Sequence, residues 1–315
     1  MNSGKINILV TGGAGFVGSA MVEKLAQNPD NFIIALDNLL TGSQDKIPVS
    51  AHNNIRFIRC DVNNYTDLSA VMMSHQFNYV FHYAAVVGVH RTLENPVMVL
   101  NDLNGFRNIM ELSKNSGVKR VYFSSSSEVY GEPVELPQNE ETTPLNSRLP
   151  YAIVKNAGEA YLKSYQREFG LEYTIFRFFN TYGPKQSKDF VISRFIAAAL
   201  RNQDITINGD GLQTRTFCFI DDNTEACANA FYNNDFINDV VNIGSNNEIT
   251  IRELASKIIE ITGSKSQLKF GPALAEGDMT RRMPDTTKME KLLRRTPTSL
   301  EDGLKKVIAD TRFIL

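Results

Sequence analysis

The sequence predicts an α/β fold, a doubly wound parallel sheet with helices on both faces, followed by a smaller C-terminal domain. Three observations carry this. Short apolar runs rich in β-branched residues recur through the first half of the chain, most ending at a glycine or a polar residue. Stretches with helical spacing separate them, so successive strands are joined by crossovers, which favour parallel pairing. After Pro184 this regular alternation stops, which sets the rest of the chain apart.

Residues 5–11 form the first run and lead directly into a glycine-rich turn, after which 19–27 has helical spacing through Met21, Val22 and Leu25. Residues 32–36 end at Asp37, 55–60 at Asp61 and 79–83 at Ala84-Ala85. Residues 120–123 run into the serines at 124–127, and 172–178 lead to Asn180. Helical patterns cover 99–115 and 152–169. In open parallel sheets ligands gather at the carboxyl ends of the strands. Asp61, His82, the four serines and Asn180 all fall there. Further on, 191–201 reads as a helix, 208–211 as a turn and 216–220 as a strand ending at Asp221-Asp222. Residues 248–262 read as a helix entered through Thr250, and 271–284 as a loop. The expected domains are 1–180 and 181–315, with about 214–245 returning to the first.

The glycine-rich turn is Gly12-Gly13-Ala14-Gly15-Phe16-Val17-Gly18. A strand, a glycine turn and a helix in that order are the setting a dinucleotide fingerprint needs. Gly12 supplies the tight turn, Gly15 lets backbone approach a pyrophosphate, and Gly18 lets the helix pack on the strand. The helix N-terminus offers N–H groups and partial positive charge to the phosphates. Asp37, at the end of the next strand, is placed to accept bonds from the adenosine ribose. Its charge would repel a 2′-phosphate, so NAD is expected rather than NADP.

The 315 residues include 42% hydrophobic residues, enough for a real core, and the net charge is −2. That balance gives no basic face for nucleic acid. Cys60, Cys218 and Cys227 lack CxxC spacing and the four histidines form no cluster, so neither a metal nor a disulfide framework is expected. No apolar run approaches membrane-spanning length and the first strand begins almost at once, so the expectation is a soluble, cytoplasmic protein.

Tyr151 and Lys155 stand one helical turn apart on one face. A phenol, with a reference pKa of about 10, is a poor base near neutrality unless a cation stabilises its phenolate. The Lys155 ammonium can do that, and Ser126 can orient the hydroxyl that is being oxidised. Together with the glycine turn, the three describe removal of a hydride from a carbinol carbon coupled to removal of its proton.

With these motifs in order, the chain resembles the extended short-chain dehydrogenase/reductase family, specifically its NAD-dependent nucleotide-sugar epimerase/dehydratase group. The shared landmarks are Thr11 to Gly18 (TGGAGFVG), Asp37, Asp61-Val62, His82-Tyr83-Ala84-Ala85, Ser124 to Gly131 (SSSSEVYG), Tyr151 with Lys155, and Phe179 to Pro184 (FNTYGP). They span nearly the whole chain. The resemblance implies a Rossmann-type fold, a tightly held NAD, oxidation at the sugar C4, a 4-keto intermediate and return of the hydride. It places Gly12, Gly15, Phe16, Val17, Gly18, Asp37, Asp61, Val62, Ala84, Ala85, Tyr151 and Lys155 around the cofactor. Ser126, Glu128, Tyr151 and Lys155 would be catalytic. Asn180 would touch the nucleotide phosphates, and Arg215 would clamp them as a bidentate donor. The implied partners are a nucleoside-diphosphate sugar, UDP-linked above all, and a second copy of the chain packed through 99–115 and 152–169.

The reaction that follows the oxidation stays open between 4-epimerisation and decarboxylation. The Ser126-Ser127-Glu128 run, Thr214 to Asp222 and Arg281-Arg282-Met283-Pro284-Asp285 resemble UDP-glucuronate decarboxylases, in which Arg282 would serve the carboxylate. Tyr151-Ala152-Ile153-Val154-Lys155 and the segment 86–91 look more like an epimerase. The epimerase phosphate arginine is replaced in Ala275-Glu276-Gly277-Asp278. A 4,6-dehydratase is an alternative, although Ser127 replaces the acid that dehydratases acting on dTDP-glucose carry there. A non-catalytic NAD-binding scaffold is another, but such relatives lose the tyrosine or the lysine.

Overall fold

A computed structural model describes residues 4–272 and 281–315, the side chains of Val89 and His90 excepted. Strand β1 (Ile6–Thr11) and strand β2 (Asn31–Asp37) bury Ile8, Leu9, Val10 and residues 33–36 completely. Burial of consecutive residues, rather than alternate ones, is the mark of strands covered by helices on both faces. With β3 (Ile55–Arg59), β4 (Tyr79–His82), β5 (Arg120–Ser126) and β6 (Glu172–Phe178) they form a parallel sheet in the order β3-β2-β1-β4-β5-β6. A seventh strand at Asp239–Ile243 lies beside β6. The order reverses between β1 and β4, so the crevice at their carboxyl ends is where such a sheet holds a ligand.

The crossovers are α1 (Phe16–Ala26), α2 (Tyr65–His75), α3 (Val89–Glu94), α4 (Pro96–Leu100), α5 (Asp102–Ser116) and α6 (Pro150–Phe169). Pro150 opens α6, where a missing N–H costs nothing, and Gly170 ends it in the left-handed region. The single helix expected over 99–115 is instead α4 and α5, starting at Pro96. The backbone stays helical through Asn101 (φ −63°), whose N–H bonds Val97 O, so the pair acts as one bent crossover. One face of it joins a core of Leu9, Val80, Phe106, Ile109, Met110, Phe123 and Leu162.

The later elements are β7 (Thr181–Tyr182), α7 (Val191–Leu200), β8 (Ile205–Asn208), β9 (Thr214–Thr216), β10 (Cys218–Phe219), α8 (Ile220–Tyr232), β11 (Asp239–Ile243), β12 (Glu248–Thr250), α9 (Ile251–Thr262), β13 (Leu268–Gly271), α10 (Thr287–Leu293) and α11 (Leu300–Ala309). The strand expected over 216–220 is not continuous. The chain changes partners, β9 pairing with β12 and β10 with β7, and Ile220 opens α8. Asp221 and Asp222 sit in the first turn of that helix, where carboxylates complement the N-terminal dipole. The helix expected over 248–262 begins only at Ile251. Thr250 caps it by accepting the Glu253 N–H, and Glu253 returns a bond to the Thr250 N–H, a full capping box. Gly271, expected in a loop, ends β13.

Two compact units result. One comprises Met1–Val129, Ser147–Arg177 and Thr224–Val241; the other Tyr130–Asn146, Phe178–Asn223 and Asn242–Leu315. Residues 130–146 group with the C-terminal part, and 224–241 with the first unit. In the return, Asn238 N–H donates to Tyr173 O (2.7 Å) and Tyr173 N–H to the Asn238 side chain (3.1 Å). Cys60, Cys218 and Cys227 are buried and form no disulfide. Among the described residues, no helix is long and apolar enough to cross a membrane, and no group of His, Cys, Asp and Glu could hold a metal ion.

Candidate active site

From β1 the chain enters Gly12 at φ +68°, a conformation that L side chains rarely adopt. A Cβ there would lie 2.7 Å from Ala84 N. At Gly18 a Cβ would collide with the Gly12 carbonyl oxygen, so α1 crosses the turn at a distance only glycine permits. Gly15 is the N-cap of α1. Neither a capping side chain nor an acid occupies the first turn, which includes Phe16, Val17 and Gly18, so its N–H groups are open to an anion. Asp37 ends β2, nearly buried. Its Oδ2 accepts Ala14 N–H (3.0 Å) and its Oδ1 Leu39 N–H (2.8 Å), which fixes the carboxylate beside the turn with a lone pair left on each oxygen. This cradle fits NAD: the glycine backbone and α1 would hold the pyrophosphate, Asp37 the adenosine ribose.

Asp61 and Val62 follow β3. Asp61 accepts from the Asn38 side chain (3.0 Å) and from Asn63 N–H (2.9 Å), and Val62 is buried under α5, its carbonyl bonded by Asn108 (2.9 Å). Thr11, the last residue of β1, joins the two sides of the crevice. Its hydroxyl lies 2.8 Å from His82 Nδ1 and 3.2 Å from the N–H groups of both Tyr83 and Ala84. Accepting two N–H bonds, the hydroxyl is left to donate a hydrogen bond to Nδ1, an arrangement that puts the His82 hydrogen on Nε2. Thr11 thus aligns the glycine turn with Ala84 and Ala85.

The serines close β5. Ser126 Oγ accepts Glu128 N–H (3.2 Å), which ties Ser126 to the short helical turn carrying Glu128. Lys155 is buried on α6. Its Nζ donates to Ser124 O (2.6 Å) and lies 4.8 Å from the Phe123 ring and 5.7 Å from the Tyr151 ring. Burial pushes the Lys155 pKa down to about 8, opposed by the charge of Asp102. Tyr151 packs on the Val86, Val99 and Val154 cluster. The structure thus ties Lys155 to Ser124 at the end of β5 and sets its Nζ beside the Tyr151 ring, while Ser126 follows two residues along the same strand. It also shows what fixes α6: one turn past Lys155, buried Glu159 accepts Ser125 Oγ (2.6 Å), Arg177 Nε (2.9 Å) and Arg177 Nη2 (2.7 Å).

Asn180, Arg215 and Arg282 lie in the second unit. Asn180 takes φ +31°, and its side chain donates to Thr216 O (3.0 Å) while its own carbonyl accepts Cys218 N–H (3.2 Å). It therefore sits against the strand that carries Arg215, a buried side chain that donates to Thr214 O (2.7 Å). Arg282 is buried, and its neighbours Met283 and Asp285 bond the backbone of Gln138. Arg281, by contrast, is half exposed and paired with Glu248 (2.6 Å). Residues 275–278 lie outside the described residues.

Asp102 and Glu159 carry no sequence signal that sets them apart. Thr11 and His82 stand inside landmark strings, but Asp102 and Glu159 read as ordinary helix-surface acids until burial is known.

The family model described as the NAD dependent epimerase/dehydratase family matches residues 8–244. A putative UDP-glucose 4-epimerase of Methanocaldococcus jannaschii is 38% identical over 307 residues, 96% of this chain and 97% of that protein. UDP-glucuronic acid decarboxylase 1 of Arabidopsis thaliana is 35% identical over 318 residues, 98% of this chain and 70% of that protein. Among solved structures, the UDP-glucose 4-epimerase of Thermotoga maritima, determined with UDP-glucose, superposes with a TM-score of 0.91 at 34% identity and covers 98% of this chain and 99% of that one. Similarity at this level along the whole length, over a crevice shaped for a dinucleotide, makes this chain an enzyme of the NAD-dependent epimerase/dehydratase family.

Proposed function

We propose that the enzyme oxidises C4 of a UDP-sugar and then reduces the 4-keto sugar again, the net result being 4-epimerisation or loss of a C6 carboxylate. The observation that carries this reading is the buried Lys155 ammonium on the same helix face as Tyr151, against the end of the strand bearing Ser126. NAD, when bound, accepts the C4 hydride and gives it back. Tyr151 takes the O4 proton as the hydride leaves, Lys155 stabilises the resulting charge pattern, and Ser126 orients O4. Asn180 and Arg215 bind the diphosphate. With a 6-carboxylate substrate the 4-keto sugar is a β-keto acid, which loses CO2 readily. Glu128 and Arg282 then serve that step.

Both outcomes use Tyr151. Tyr151→Phe should lower turnover by about 10²–10⁴-fold with the fold intact; turnover equal to wild type would sink the assignment. Mass spectrometry after incubation with UDP-glucuronate and, separately, UDP-glucose decides between outcomes. Loss of CO2 from the first establishes decarboxylation. A C4 epimer of unchanged mass establishes an epimerase and leaves Glu128 and Arg282 with binding duties.

The enzyme acts as a homodimer in this reading. Val97, Met98 and Leu100 on α4 and Ile153 on α6 are large apolar side chains exposed on helices that pack against each other.

A further inference from the structure

We propose that Ser125 is a positioning residue for Tyr151 and Lys155: its hydroxyl, bonded to Glu159, pins the end of β5 to α6 so that the Ser124 carbonyl meets the Lys155 ammonium and Ser126 keeps its place in the strand. This rests on the reading of C4 oxidation given above. Ser125 is buried, and its Oγ donates to Glu159 Oε1 at 2.6 Å. The hydroxyl is thereby spent inside the protein, and it acts through its neighbours. The carbonyl of Ser124 and the N–H of Ser125 belong to one planar peptide unit, so a side-chain bond at Ser125 limits the rotation of that plane. The oxygen of the same plane accepts Lys155 Nζ at 2.6 Å. On the other side the next peptide leads to Ser126, whose Oγ accepts Glu128 N–H at 3.2 Å. The Ser125 bond therefore sits between the acceptor of the ammonium and the hydroxyl assigned to O4.

Lys155, Gly158 and Glu159, spaced three and four residues apart on one face of α6, meet three consecutive residues of β5. Lys155 meets Ser124, with its Nζ 4.8 Å from the Phe123 ring. Gly158 lies against Phe123 itself: an added Cβ would stand 2.8 Å from Phe123 Cζ and 3.0 Å from Phe106 Cε2. Glu159 meets Ser125. The contact at Gly158 sets how closely the helix approaches, but a backbone resting on an aromatic ring does little to stop a slide along the strand. The register is set by the two directional bonds, at Ser124 and at Ser125. The first moves with the very ammonium that needs positioning, so the second is the independent one. Glu159 is held as well by Arg177, whose Nε reaches Oε1 (2.9 Å) and whose Nη2 reaches Oε2 (2.7 Å). Loss of the Ser125 hydroxyl therefore leaves no charge buried alone. At Ser125, unlike at Glu159 or Arg177, position can be changed with the fold kept.

The test uses the full-length, NAD-replete enzyme with UDP-glucuronate and, separately, UDP-glucose. Ser125→Ala should lower kcat by about 10- to 100-fold with KM little changed, the cost of a catalytic group held slightly out of place. The appearance of reduced nicotinamide in a single turnover should slow by the same factor. Hydrogen exchange read by mass spectrometry should quicken in the peptide that spans Tyr151 and Lys155 and stay unchanged in β1 and β2. Ser125→Thr keeps the hydroxyl and should restore most of the rate. Ser125→Cys, a near-isostere with a weak donor, should fall between serine and alanine, and it serves in place of the threonine variant if that one folds poorly. A Ser125→Ala enzyme with the wild-type hydride step overturns the proposal. So does a fall in kcat that only tracks the folded fraction, with exchange quickened throughout the first unit. Tyr151→Phe, measured alongside, separates the two readings. If it turns over like wild type, C4 oxidation by Tyr151 fails; if it is inactive while Ser125→Ala is not slowed, only the role of Ser125 fails.

Discussion

His82 lies between Phe106 and Phe123, its ring stacked on the second at 6.0 Å, with Nδ1 occupied by the Thr11 hydroxyl. A charged imidazole would need that nitrogen as a donor and would face the Lys155 charge without water, which is why its folded pKa falls to about 3. The unfolded chain binds this proton below about pH 6.5 and the folded one does not. Between those values the unfolded state holds more protons, so stability is full above about pH 6.5 and is lost as the pH falls toward 3. The shift allows a loss of up to about 5 kcal/mol at its end. His82→Gln should therefore be less stable at pH 7.5 but show a flatter fall between pH 7.5 and pH 5 in urea unfolding. Parallel pH dependences in the two proteins would mean that His82 titrates normally. Gly18 offers a second residue-scale test. Gly18→Ala forces a methyl onto the Gly12 carbonyl, so it should abolish NAD retention through gel filtration, and a variant that keeps NAD would contradict the described turn.

At the scale of elements, α6 matters most, because a helix that presents Tyr151 and Lys155 must not slide or rotate. Ser125 and Arg177, from β5 and β6, grip it at Glu159 in a site from which water is excluded. Such a pair is weak evidence for net stability, but breaking it is expensive because one charge stays buried alone. Arg177→Met should cost about 3–5 kcal/mol by chemical denaturation. The double variant Arg177→Met with Glu159→Leu should recover much of that, since both charges are then gone. A cost under about 1 kcal/mol for the single variant would show that water reaches the pair. This grip was not legible in the sequence, whereas the β1–turn–α1 cradle was. The cradle is local: glycines at 12, 15 and 18 and an acid at 37 make one continuous signal. The Glu159 grip joins residues 34 and 18 positions apart, and only burial separates it from a solvated acid. The same cause explains the strand expected over 216–220. Its apolar residues serve two short ladders whose partners, β7 and β12, lie far away in sequence. The acids that open α8 are a local sign of a helix start rather than of a strand end.

At the scale of the whole molecule, the alternation of strands and helices was enough to predict the parallel sheet. Thr224–Val241 returns to the first unit because β11 extends the sheet beside β6, a non-local pairing that no local periodicity records. What the sheet's helices leave outside bears on assembly. Val97 is 70% exposed and Ile153 43%, on α4 and α6, whose other faces are packed. Ile153 stands between Tyr151 and buried Lys155, so α6 is apolar on its outer face, opposite the proposed catalytic pair. Covering that face with the same face of a second copy gives an isologous, closed interface. Sedimentation velocity should then show a dimer for the wild type, and Val97→Glu with Ile153→Glu, which adds like charges that meet across the two-fold axis, should sediment as a monomer. The double variant should also release NAD faster, because α6 loses the packing that holds it from outside. A monomeric wild type at the same concentration, or a double variant that remains dimeric, would move the interface elsewhere and leave the apolar face of α4 and α6 without this occupant.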